Sequence, residues 1–400
     1  MNTTQLITSG PFARVMLTNF FFFASLNGFV LLPIYVQQLG GTEAAVGVVQ
    51  GLYSAAGILC QPLVGALVDR LGRRFFMLIG AAVVTATCAG FVATASIPLF
   101  GVLRALQGVG FSAFFIANYI HVVDLVPVAH RGWALGIYGL SGLLSTSLAP
   151  LLGELIVRHL GFRWHFAVML ALAAAALALV AQLRDVRPPL AGPAPGVEAL
   201  RRGLEEAFRL HMAVAFFFGL GTGAIFTFLP TFAEQLGVRG LGLFYTAYAG
   251  AAMAVRVAGG RLIDTRGRRA VIVPSMLVQA AATAILAVVA FAFSPATRVP
   301  VLPFLFLAGV LAGGAHGFLY PALSALLMDV TPEERRGSAV GTFSSMFLVG
   351  NALGAIAMGY VAEGFGYRVM WTAVTALLLV GYVASFRLRE GPGRTVAVTS

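Results

Sequence analysis

Charged residues divide this chain into twelve uncharged stretches of 16 or more residues: 15–42, 44–68, 75–103, 105–123, 132–153, 164–183, 210–233, 240–255, 270–297, 299–328, 337–362 and 369–386. A helix needs about 20 apolar residues to cross the hydrocarbon core of a bilayer. The spacing therefore predicts an all-α membrane protein of twelve transmembrane helices. Composition supports the same solvent. Of 400 residues 59% are hydrophobic and 10% charged, with a mean hydropathy of +0.91, whereas a soluble chain carries roughly 25% charged residues to cover its surface. Two arginines, Arg104 and Arg256, interrupt stretches that otherwise read as membrane. The fourth helix is expected to start near Ile97 and the eighth to run from about Leu241 to Ile263, which leaves both arginines inside the bilayer.

Every basic residue is an arginine, and the net charge is +11. With an even number of helices both termini share one side. Nineteen arginines fall on that side, in the termini and even-numbered loops, five on the other and two in the membrane. By the positive-inside rule this predicts cytoplasmic termini and a multi-pass protein of the inner (plasma) membrane. The surplus of charge is thus read as orientation, and a nucleic-acid partner is not expected, because the arginines lie between apolar stretches. The first apolar stretch is read as a retained helix and not a cleaved signal. Cys60 and Cys88 lie inside apolar stretches, so no disulfide, metal site or cofactor is expected. Residues 184–209, rich in proline and charge, read as a cytoplasmic linker between six-helix bundles at 1–183 and 210–400. Val197–Arg209 is either an amphipathic surface helix or a solvated tether.

The two halves repeat one another. Pro33 and Gln37 to Gly40 recur as Pro230 and Glu234 to Gly237. Gly65, Asp69, Gly72, Arg73 and Arg74 recur 195 residues later as Gly260, Asp264, Gly267, Arg268 and Arg269, with Tyr53 falling on Tyr248. Asp124, Pro127, Arg131, Gly132, Ala134 and Gly136 recur 205 residues later as Asp329, Pro332, Arg336, Gly337, Ala339 and Gly341. Order and direction are preserved, so the repeats are parallel.

The stretch Gly65 to Arg74, with its Asp69-Arg70 pair and its copy at Gly260 to Arg269, resembles the signature loop of the major facilitator superfamily (MFS). Arg104-Ala-Leu-Gln107-Gly108-Val-Gly110 resembles the arginine motif of the proton-coupled members. The resemblance covers essentially the whole chain and implies two pseudo-symmetric six-helix bundles, the MFS fold, in a bacterial protein similar to drug and metabolite exporters. The fifth helix departs from the drug-antiporter ending G-P-x-x-G-G: it reads Ala149-Pro150-Leu-Leu-Gly153-Glu154.

Several residues carry the expected chemistry. Gly65, Asp69, Arg70, Gly72, Arg73 and Arg74, with Arg131, and Asp264, Gly267, Arg268 and Arg269, with Arg336, are read as a cytoplasmic latch. There a carboxylate near a helix end holds the neighbouring bundle by charge-assisted contacts, and Gly65 gives close helix approach. Arg104 and Arg256 face a cavity or a partner, or are satisfied by helix-end carbonyls or a neighbouring glutamine. No Asp or Glu lies centrally in any stretch, so the cavity is read as cationic and its substrate as anionic, zwitterionic or neutral. Tyr53, Gln50 and Gln61 on the second helix and Tyr248 on the eighth form matching walls. Asn27, Asn118, His316, Tyr320 and Asn351 complete the substrate-binding candidates. Tyr245 is expected at the membrane interface, and Glu43 in a loop. His316, Glu154 and Glu234 are the proton-coupling candidates, since histidine titrates near physiological pH; a buried, hydrogen-bonded histidine is the competing role for His316.

The leading expectation is a monomeric secondary transporter working by alternating access, with proton-coupled export of a small anionic, zwitterionic or amphiphilic compound. Proton-coupled or facilitated uptake of a metabolite, and translocation of a lipid or lysolipid whose head group sits at Arg104 and Arg256, remain alternatives. An enzyme is not expected: the sequence has no HExxH, no G-x-S-x-G and no paired intramembrane carboxylates, and without lysine it has no P-loop.

Overall fold

The structure, a computed structural model, describes residues 10–127, 131–185, 210–293, 300–330 and 336–388. Residues 186–209, with the expected surface helix at Val197–Arg209, and the side chains of Asp69, Arg131, Asp264 and Arg336 lie outside the described residues. The latch pairings expected of those four side chains lie there too.

Among the described residues twelve helices follow one another. They are α1 (Gly10–Gln38), α2 (Glu43–Leu71), α3 (Arg73–Ala93), α4 (Ile97–Leu125), α5 (Arg131–Leu160), α6 (Phe162–Ala181), α7 (Leu210–Gln235), α8 (Gly242–Thr265), α9 (Arg268–Ala292) and α10 (Leu302–Val330). The last segment, Arg336–Ser385, is broken at Gly366, whose φ of 78° no helix tolerates, so it supplies α11 before that glycine and α12 after it. Ten helical stretches among the described residues are long and apolar enough to cross a membrane, the last of them this double one; α8, which carries Arg256, is not one of the ten. The start of α4 at Ile97 agrees with the charge spacing. Glu43, expected in a loop, instead opens α2, where Thr42 caps the helix by accepting the Ala45 N–H.

The helices pack in the same order in both halves. In the first, α4 lies against α2 and α3, and α1 against α5 and α6; in the second, α10 lies against α8 and α9, and α7 against the α11–α12 segment. Matching residues make these contacts. A Cβ on Gly108 of α4 would overlap the Tyr53 carbonyl of α2, and one on Gly313 of α10 would overlap the Tyr248 carbonyl of α8. The 205- and 195-residue offsets are thus a repeat of packing as well as of sequence. Gly72 and Gly267, between the second and third helix of each half, have φ of 91° and 88°, a region that side chains resist. Gly65, expected at a close helix approach, has open space where a Cβ would sit, so its role is not packing.

Contacts between the halves run crosswise: the second helix of each half meets the fifth of the other. At the end of the molecule poorer in arginine, α2 touches α11 through Gly47, where a Cβ would fall 2.5 Å from the Ala355 carbonyl oxygen, and α5 touches α8 at Gly242, where it would fall 2.6 Å from the Leu151 Cα.

Candidate functional site

One proline decides the local shape of α1. Pro33 has no N–H, so the carbonyl of Phe29, four residues earlier, loses its helical donor, and Gly28–Leu31 tightens into a 3-10 turn. The Leu32 N–H takes over the Phe29 oxygen in that turn, Gln50 of α2 adds a second donor from its side-chain amide at 3.1 Å, and His165 Nε2 lies 3.0 Å from the Gly28 carbonyl. Gln50 therefore holds a helix distortion in place. His165, buried at this contact, was not singled out from sequence, because its partner is a carbonyl freed only by folding.

The two intramembrane arginines have different surroundings. Arg104 is 7% exposed. Its Nη1 donates to Gln107 Oε1 at 2.8 Å, its guanidinium lies 4.3 Å from the ring centroid of Tyr53 and 5.7 Å from that of Phe29, and all three partners belong to the first half. This is the neighbouring-glutamine arrangement, with cation–π contact added. Arg256 reaches across the seam between the halves: a Cβ on Gly139 of α5 would fall 2.5 Å from its Nη1. Tyr248, His316 and Tyr320 are its neighbours within the second half. Its Nε is buried without a hydrogen-bond partner among the described residues.

His316 stands in an aromatic nest, its ring centroid 5.3 Å from Phe218, 5.6 Å from Tyr248 and 6.2 Å from Tyr320. Its Nδ1 is buried without a partner among the described residues. The remaining candidates are engaged elsewhere. Asn27 donates to Ser145 at 2.9 Å and Thr146 at 3.1 Å; Asn118 donates to Asn19 at 3.0 Å, which donates in turn to Ser141 at 2.7 Å. These bonds stay inside the first half. Asn351 accepts from Ser54 of α2 at 2.7 Å, across the halves. Gln61, the repeat mate of Arg256, is buried with its Oε1 unpartnered among the described residues. Tyr245, expected at the interface, is instead fully buried, its ring 5.2 Å from Phe244 and 5.5 Å from Phe226; aromatic packing outweighs the hydroxyl's preference for water.

The proton-coupling candidates also separate. Glu234 is exposed at the end of α7. Glu154 of α5 accepts the backbone N–H of Gly240 at 2.8 Å and of Gly242 at 2.7 Å, at the start of α8, and pairs with Arg158. Glu363 of α11 likewise accepts the Ala44 N–H at the start of α2, at 3.1 Å. At the arginine-rich end, Arg73 and Asp124 form a buried ion pair at 3.1 Å within the first half. Arg74 donates its backbone N–H to Asp185 at 2.8 Å and its guanidinium to the Ala181 carbonyl at 2.8 Å.

A family model of the Major Facilitator Superfamily matches residues 15–299 and again 212–398, so the two halves and their repeat are both covered. The chain belongs to the major facilitator superfamily. Its relatives are transporters and not enzymes. It is 24% identical over 395 residues to the staphylopine export protein of Staphylococcus aureus, covering 96% of this chain and 97% of the relative. It is 30% identical over 372 residues to the multidrug resistance protein MdtG of Dickeya zeae, with 87% and 86% covered. Among solved structures, the nucleoside transporter NupG superposes with a TM-score of 0.77 at 17% identity, covering 94% of this transporter and 99% of NupG. A POT family transporter in complex with 5-aminolevulinic acid gives 0.78 at 13% identity, with 94% and 96% covered. These likenesses establish the fold and a multi-pass membrane protein.

Proposed function

We propose that this transporter exports a small anionic, zwitterionic or amphiphilic compound by alternating access, driven by protons, as a monomer in the inner membrane with cytoplasmic termini. The observation that carries the reading is Arg256, a half-buried residue at the seam between the halves whose Nε is buried, with no carboxylate paired to it among the described residues. A charge at such depth costs several kcal/mol and is retained where it meets a cavity or partner. The export-type relatives support the direction.

In this reading the bundles at 1–183 and 210–400 rock about the linker at 184–209, and the signature-loop residues latch the cytoplasmic side. Glu154 couples the proton. Ionised, it holds the start of α8 through two amide hydrogen bonds and the positive end of the helix dipole. A proton arriving from the arginine-poor side neutralises it, and both bonds weaken as that side opens to release substrate. His316, packed among Phe218, Tyr248 and Tyr320, is the second proton candidate.

The test is flux in proteoliposomes loaded with a labelled organic anion under an imposed pH gradient. Export predicts accumulation on the side opposite the arginine-rich face, abolished by a protonophore. Flux in the reverse sense would establish uptake instead. Gradient-independent exchange of a labelled lysolipid between leaflets would favour the lipid reading.

A further inference from the structure

The two intramembrane arginines hold different amounts of free hydrogen-bonding capacity. Arg104 is enclosed by Gln107, Tyr53 and Phe29, all in its own half. Its repeat mate in the second half is Gly309, packed directly on the Phe244 carbonyl. Arg256 instead projects between halves, where the missing side chain of Gly139 makes room for its Nη1. Its buried Nε has no hydrogen-bond partner among the described residues, nor has Nδ1 of the nearby His316. A half-buried guanidinium whose Nε has no partner among the described residues is stabilised by a complementary anion that reaches it.

We infer that Arg256 binds one carboxylate, or a comparable single negative charge, of a ligand whose ring or apolar body lies against Tyr248, His316 and Tyr320, and that Arg104 does not touch the ligand. The inference rests on the transport reading and narrows its substrate class to monoanions with an apolar body. The planar guanidinium suits a carboxylate bidentately. Tyr248 and Tyr320, with ring centroids 5.6 and 6.2 Å from that of His316, form one aromatic wall against which an apolar body can lie. A second negative charge on the ligand would be buried without a partner, because the remaining intramembrane cation is enclosed in the first half. A cationic ligand would meet Arg256 head on.

Four naphthalene probes test this on the full-length protein in nanodiscs: 1-naphthylacetate, naphthalene-2,6-dicarboxylate, 1-naphthylmethylamine and 1-naphthalenemethanol, each titrated with binding read calorimetrically. The wild type is expected to bind the monoanion at least tenfold more tightly than the other three. Arg256→Gln and Arg256→Met are expected to erase that preference while leaving the neutral probe's affinity within about twofold; Arg104→Gln is expected to keep it. Scoring each variant as the ratio of monoanion to neutral affinity makes the result independent of the folded fraction. Equal wild-type affinity for all four probes, binding of none, or a preference lost in Arg104→Gln and kept in both Arg256 variants would overturn the inference. A failed proteoliposome flux alongside an intact monoanion preference would overturn the transport reading and leave this one standing.

Discussion

Glu154 and Gly242 lie on opposite halves of the transporter and are joined by a 2.7 Å hydrogen bond from the Gly242 N–H to the Glu154 carboxylate, beside a second from Gly240 at 2.8 Å. Hydrogen bonds to an ionised acceptor are worth about 1.5–3 kcal/mol each. Glu154→Gln keeps the shape and removes the charge, so the closed arrangement of this end is expected to lose about tenfold or more in population. A cysteine placed at Ser147, buried beside Thr246 on the same seam, in a chain with Cys60 and Cys88 replaced, should react with a maleimide correspondingly faster. Glu363→Gln removes one such bond and should raise the rate less. Unchanged labelling in Glu154→Gln would mean that the carboxylate does not hold this end closed.

Much of this architecture is legible in the sequence, and the reason is energetic. Charge in hydrocarbon is costly, so the spacing of charges marks the helices, including the start of α4 at Ile97. Local pairs were readable as well: Gln107 lies three residues from Arg104, one helical turn away, where side chains meet. What could not be read were partners set by docking. Gly139 has no chemistry of its own and matters because α8 delivers Arg256 to it from 117 residues away. The same holds for Glu363 and Ala44, and for Gln50, whose partner became available through a proline on another helix.

Arg73 and Asp124 are each 6% exposed and 3.1 Å apart. Removing one member of a buried ion pair costs about 3–5 kcal/mol. Asp124→Asn should therefore lower stability by about 3 kcal/mol in equilibrium unfolding in mixed micelles. The double replacement Arg73→Met with Asp124→Leu should recover most of that loss, since apolar groups of similar volume avoid the desolvation cost. A double variant as unstable as the single one would assign the loss to packing and not to charge.

The glycines in contact with tyrosine carbonyls give a paired test of the repeat. Gly108→Val and Gly313→Val each force a side chain into the backbone of the neighbouring helix, and overpacking of this kind costs about 1–3 kcal/mol or more. Both should reduce the yield of monodisperse protein in size-exclusion chromatography, and by similar amounts. Gly136→Ala, at a position with nothing within 4 Å of the new Cβ, should leave the yield unchanged. A marked difference between the first two would show that the two halves do not share this packing.

Gly139 is where the proposed substrate site can be perturbed without touching a charge. A Cβ there would fall 2.5 Å from Arg256 Nη1, closer than any real contact, and the flexible arginine yields before the helix does. Gly139→Ala should displace the guanidinium slightly, and Gly139→Val should drive it out of the seam. Organic-anion flux is then expected to fall by about threefold in the first and more than tenfold in the second, in the order of side-chain volume. Thermal unfolding should barely change, because the displaced group has no hydrogen-bonded partner at Nε to lose and alanine and valine are better helix formers than glycine. Flux insensitive to both substitutions would separate Arg256 from the transport path; flux and stability falling together would assign Gly139 to helix packing alone.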